Sequence, residues 1–133
     1  MIGLDTNVLV RYFAQDDTIQ SSAATAIIER FSEHKPGFVS TTALIELAWV
    51  LERCYHTPKT ELVRILEILL KSREITTENA PLARQALLLF AHGNAGFADC
   101  LIERAGVAAG CEYTFTFDRK AVDALPSMKP LTL

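Results

Sequence analysis

The chain has 133 residues, half of them apolar, with 13 Lys and Arg against 16 Asp and Glu and a formal net charge of −3. That length suits a single domain, residues 1–133, with a sizeable core, and the composition excludes a disordered or fibrous protein. A mildly acidic chain argues against a large nucleic-acid groove, though not against a local site where bound cations offset the protein's own carboxylates.

No apolar run is long enough to span a bilayer. Asp5 and Asn7 interrupt the layout of a signal peptide, so the expectation is a cytoplasmic protein without membrane contact. Cys54, Cys100 and Cys111 are odd in number and form no CxxC pair, which fits reduced thiols. His34, His56 and His92 lie far apart and outside any HExxH pattern, and read as surface or loop residues.

Taken in order, Ile2 to Leu4 reads as a first strand and Asn7 to Ala14 as a short helix. Gln15 to Thr18 is a polar break. Ala23, Ala24, Ile27, Ile28 and Phe31 then recur at helical spacing within Ile19 to Phe31. Lys35-Pro36-Gly37 ends that helix, and Phe38 to Ser40 is a second short strand. Thr41 or Thr42 caps a strong helix to about Tyr55, and Pro58 opens the next one, with Leu62, Ile65, Leu66 and Leu69 on its apolar face.

Glu74 to Thr77 reads as a third strand, and Glu78 or Asn79 with Pro81 opens a helix through Phe90. After the glycine-bearing stretch His92 to Gly96, the run Phe97 to Ala109 is helical and stops at Gly110. Tyr113 to Phe117 is the clearest strand, followed by a short helix from Arg119 to Ala124 and an edge strand from Met128 to Leu131. Short strands alternating with helices predict an α/β fold on a central parallel sheet.

Four acids break the apolar pattern. Asp5 ends the first strand, at the carboxyl edge where open α/β sheets bind ligands, although Asp5-Thr6-Asn7 also suits an ordinary strand-to-helix turn. Glu46 is the one polar residue between Ala43 and Leu51, and it is out of register for a capping box with Thr42, which would need an acid at Ile45. Asp99 falls in the first turn of its helix, a position the helix dipole also favours. Asp118 directly follows the Tyr113 to Phe117 strand as the counterpart of Asp5; if their strands are neighbours, both carboxylates project over one sheet edge. Thr116 shares a strand face with Asp118 and offers a hydroxyl to a carboxylate or water.

Four converging carboxylates would repel by about 3 kcal/mol per close pair at ~5 Å and an effective dielectric of ~20. Raised pKa values or a divalent cation relieve that repulsion. Oxygen-only donors favour Mg2+ or Mn2+ over zinc, and such a site typically does phosphoryl chemistry. GxxxxGKS, GxGxxG and GxSxG motifs are absent from the chain.

Gly3-Leu4-Asp5-Thr6-Asn7-Val8-Leu9, Glu46 in its apolar helix, Gly96-Phe97-Ala98-Asp99-Cys100-Leu101-Ile102 and Thr114-Phe115-Thr116-Phe117-Asp118 together resemble the PIN-domain ribonucleases, and within them the VapC-type toxins of toxin–antitoxin modules. The order and spacing of these segments carry the resemblance, which covers nearly the whole chain. It implies a three-layer α/β/α fold and a Mg2+- or Mn2+-dependent endoribonuclease. By the same resemblance, Asp5 and Asp99 look like the main metal ligands, and Glu46 and Asp118 complete the acidic cluster. Asn7 and Thr116 match positions that orient the acids. A cognate antitoxin and a homodimer are implied partners. Cys100 departs from the Ala or Ser of many relatives and brings a thiol, open to oxidation, beside Asp99.

For an RNA substrate, Arg11, Arg119 and Lys120 are the nearest cations in sequence to the acids, with ordinary surface solvation as the plainer account. The helices around Trp49, Leu62, Ile65 and Leu69 offer apolar surface for a dimer or an antitoxin, or simply for the core. Three rival functions stand beside the toxin: an RNA-processing nuclease of the same family outside a toxin module, a haloacid-dehalogenase-like phosphatase, and a non-enzymatic binding module. The phosphatase class uses an Asp-x-Asp pair, where this chain has Asn7 in the second position.

Overall fold

Three short strands, Ile2–Gly3 (β1), Gly37–Val39 (β2) and Ile75–Thr77 (β3), pair in parallel in the order β1-β2-β3. The register sets Ile2 against Gly37 and Gly37 against Ile75. Gly37 is required sterically: a Cβ there would come within 2.6 Å of the Phe31 ring, which packs over the start of β2. This computed structural model describes residues 1–133, and the chain divides into two compact units, Met1–Ala80 and Pro81–Leu133.

The first unit surrounds its sheet with Thr6–Ala14 (α1), Thr18–Glu29 (α2), Thr41–Tyr55 (α3) and Lys59–Lys71 (α4). Leu9, Val39, Leu44, Leu47, Leu62, Leu66 and Leu69 are fully buried, drawn from α1, β2, α3 and α4. Each such side chain contributes about 2 kcal/mol through removal from water. Leu62, Ile65 and Leu69 are therefore core residues rather than partner surface, and of the apolar residues singled out around them only Trp49 stays exposed.

Helix ends follow the cap chemistry, with some corrections. α1 begins at Thr6, one residue earlier than the pattern suggests. α3 is capped by Ser40, whose Oγ accepts from Ala43 N at 3.1 Å, and not by Thr41 or Thr42. Thr41 N donates instead to Glu78 Oε1 at 2.8 Å, a bond from a distant acid that local sequence does not reveal. Pro58 sits at the cap of α4, where its missing N–H costs nothing. Gln15 ends α1 at φ 53°, and its side chain covers the exposed Tyr12 carbonyl at 2.7 Å.

The second unit comprises most of Ala80–His92 (α5), then Phe97–Ala108 (α6), Thr114–Thr116 (β4), Arg119–Ala124 (α7) and Met128–Pro130 (β5). β4 and β5 form a parallel ladder of their own. β1 is hydrogen-bonded to β2, and β4 to β5. α6 approaches β4 closely at Gly106, where a Cβ would meet Thr114 Oγ1 at 2.7 Å. No helix is long and apolar enough to cross a membrane.

Candidate active site

The four acids divide evenly: Asp5 and Glu46 belong to the first unit, Asp99 and Asp118 to the second. No group of three or more His, Cys, Asp or Glu side chains is arranged as a metal cage.

In the first unit, Asp5 occupies the cap position of α1, with extended backbone at φ −76° and ψ 159°, yet its side chain makes no capping bond. Its carbonyl accepts from Val8 N at 3.1 Å, so the main chain closes the turn and the exposed carboxylate is left uncommitted. Glu46 is exposed as well, although its helix is otherwise apolar from Ala43 to Leu51. Its partner is the buried Thr6, whose Oγ1 donates to Glu46 Oε1 at 3.0 Å. Thr6 therefore ties the turn after Asp5 to the middle of α3.

The resemblance implies an orienting role for Asn7, which is exposed; the hydrogen bond to Glu46 comes from its neighbour Thr6. The missed signal was the start of α1: one residue earlier, Thr6 falls on the buried face with Leu9 and Val10.

In the second unit, Asp99 lies in the first turn of α6, half-buried. Burial pushes its carboxyl above the ordinary aspartate range, and the charge of Asp118 pushes the same way. The two carboxylates therefore feel one another. Asp118 caps α7 through Oδ1, which accepts from Lys120 N at 2.9 Å and Ala121 N at 3.4 Å, so Oδ2 remains available. Thr116 Oγ1 accepts from Asp118 N at 3.0 Å; it fixes the main chain of Asp118 rather than its carboxylate. Gly96 has an ordinary φ of −69°, and a Cβ there would sit 3.7 Å from Asp99 Oδ2, so this glycine is not demanded by close approach.

The cations differ in availability. Arg11 Nη1 donates to both oxygens of Asp16, at 3.0 and 3.2 Å, and to Tyr55 Oη at 3.2 Å, while Nε reaches Gln20 Oε1 at 2.8 Å. Its charge is spent on joining α1, α2 and α3. Arg119 and Lys120 are exposed and take no part in the ion pairs of the protein. His34, His56 and His92 are all exposed, as expected. Cys54, Cys100 and Cys111 are thiols, and Cys100 is fully buried, which shields it from the oxidation its place beside Asp99 suggested.

One further acid, Glu103 on α6, carries no distinguishing sequence signal and is fully buried. Burial alone would raise its pKa. The Arg104 guanidinium and Ser127 N, which donates to Oε2 at 2.9 Å, outweigh that and hold the carboxyl below its usual range. Both of its oxygens are thus engaged within the chain.

The PIN-domain family model matches residues 2–125, a span that includes all four acids. A VapC ribonuclease from Aquifex aeolicus (strain VF5) is 24% identical over 117 residues, covering 88% of this chain and 87% of the relative.

Proposed function

The chain belongs to the PIN-domain family, and on that premise we propose that it is a Mg2+- or Mn2+-dependent endoribonuclease, the toxin of a type II toxin–antitoxin module. The helices and the parallel sheet β1-β2-β3 fit the three-layer α/β/α fold of such a domain. In this reading residues 1–133 act as one domain, and Asp5, Glu46, Asp99 and Asp118 serve one site.

The observation that carries the reading is the half-buried carboxylate of Asp99, pushed up first by burial and then by the charge of Asp118, beside an Asp118 whose Oδ2 is left open by its cap bonds. A pair of carboxylates without a neighbouring cation is unfavourable on its own, and a divalent cation is the natural counterion. Mg2+ is commonly held by one or two carboxylates, with waters and substrate phosphates completing its shell, so a full protein cage is not needed. The donor set therefore fits the ion. When bound, the metal supplies a water of lowered pKa and neutralises charge on the phosphate.

The chain's own residues do the positioning. Thr116 and the first turn of α7 lock Asp118 with Oδ2 open, and Thr6 holds Glu46. Asp5 offers an uncapped carboxylate. Arg119 and Lys120 hold RNA phosphates outside the site, and Arg11 organises α1, α2 and α3 instead. A cytoplasmic setting, a homodimer and a cognate antitoxin belong to the same proposal, and the VapC relative supports the antitoxin.

The test is wild type against Asp99→Asn and Asp5→Asn on mixed tRNA and rRNA, each with EDTA, Mg2+ or Mn2+. Metal-dependent fragments from wild type, reduced ~100-fold or more in both variants, are expected, since even partners of ligands cost roughly 10–100-fold. Equal cleavage by all three proteins would refute this site. Hydrolysis of small phosphomonoesters without RNA cleavage would favour the phosphatase reading.

A further inference from the structure

One face of β4 remains outside the site just described. Tyr113 lies just before the strand, Phe115 within it and Phe117 just after it. They are exposed by 38%, 55% and 68%, rising toward Asp118, while the intervening Thr114 and Thr116 are half-buried. Tyr113 and Phe115 meet edge to face at 5.1 Å, and Lys129 Nζ stands 4.5 Å from the Tyr113 ring centre. Lys129 is the register partner of Phe115 on β5, so the cation and the rings belong to the same surface.

What covers such a face must offer flat apolar groups and negative charge together. Lys129, like Arg119 and Lys120 just past the strand, has no part in the protein's ion pairs. Glu112 lies beyond Tyr113, at the end of the strand away from Asp118. A second copy docked through this face in a two-fold contact would bring like-charged lysines together. Single-stranded RNA meets both demands: every base has a face that stacks on an aromatic ring, and each nucleotide brings a phosphate.

Resting on the nuclease reading above, we propose that Phe115 and Phe117, with Tyr113 and Lys129, form a stacking platform for unpaired bases next to the phosphate presented to Asp118. Phe117, the most exposed ring and the one adjoining Asp118, takes the nearest base.

The experiment measures anisotropy of a short end-labelled unstructured RNA, and of a hairpin duplex of the same composition, in EDTA. The proteins are wild type, the double variant Phe115→Ala/Phe117→Ala, and Phe117→Tyr, with circular dichroism confirming that each is folded. The expected result is a single-strand Kd raised roughly tenfold or more in the double variant, near wild type in Phe117→Tyr, with duplex binding unchanged. In Mg2+ the double variant raises KM by a similar factor with little change in kcat.

A single-strand Kd that the double variant leaves unchanged would overturn the platform, as would wild type that binds no single-stranded RNA. So would a double variant that loses a dimer in sedimentation while its RNA affinity holds, because the face would then belong to a second copy. Cleavage by wild type is scored separately on the same RNA. Binding through the rings without cleavage removes the nuclease and leaves the platform, and cleavage with unaltered binding removes the platform alone.

Discussion

Asp5 and Asp118 both stand at the head of a helix, but only Asp118 caps it. Asp5 keeps its carboxylate out of the cap, whereas Asp118 commits Oδ1 to the helix and leaves Oδ2 open. Asp99 is held against burial and the charge of Asp118. Its pKa is raised in the folded chain, so its contribution to stability is complete below the ordinary aspartate value of 3.8 and is lost as pH rises through the folded value. Asp99→Asn is therefore expected to raise the thermal midpoint at neutral pH. That gain should vanish well below pH 3.8, where wild type is protonated too. Thermal melts at both pH values decide it, and an equal effect at both would exclude the repulsion. Thr6 is the residue through which Glu46 is held. Thr6→Val should lower kcat about tenfold and stability by about 1 kcal/mol, with Thr6→Ser restoring most of both. If Thr6→Ser recovers stability and not kcat, the hydroxyl has no part in placing Glu46.

Between elements, the polar ties are few and specific. Arg11, Asp16, Gln20 and Tyr55 join α1, α2 and α3, with Tyr55 Oη donating to Asp16 Oδ2 at 2.7 Å. That hydrogen bond is the largest cause holding Asp16 below the usual aspartate range. In the second unit, Glu103 ties α6 to the turn before β5 through Ser127 N. Glu103→Ala strands the part-buried Ser127 N–H and the Arg104 charge together, and should cost about 2 kcal/mol in a urea titration at pH 7. The carboxyl is depressed in the fold, so this contribution is present above the ordinary glutamate value of 4.5 and fades as pH falls through the lower folded value. The difference between wild type and Glu103→Ala should shrink in that acid range. A difference that persists unchanged would mean that lost packing, and not the charge, is responsible.

For the molecule as a whole, the toxin reading makes a cellular prediction. Induced expression of wild type should arrest growth of a bacterial host, and Asp5→Asn should relieve the arrest at equal protein level. Co-expression of the product of a small neighbouring upstream reading frame should relieve it too. Growth arrest by Asp5→Asn as strong as wild type would remove nuclease activity as its cause. RNA cleavage in vitro without arrest would favour an RNA-processing nuclease outside a toxin module.

The sequence by itself determined the α/β class, nearly every element and the family. Class and elements rest on local signals: apolar period, β-branched strands, and Pro, Gly and cap residues, each of which acts within a few positions. The family rests on resemblance in the order and spacing of the segments that carry the four acids. It also marked Asp5, Glu46, Asp99 and Asp118, since an acid inside an apolar run stands out without any coordinates. Tertiary structure alone decided which strands pair, that Thr6 and not Asn7 holds Glu46, and that Arg11 is spent on Asp16 and Tyr55. It alone revealed the buried Glu103 and the exposed rings of Tyr113, Phe115 and Phe117 in and around β4. Each of these depends on contacts between residues distant in sequence or on which face of an element is covered, and a local pattern carries no record of what lies opposite it.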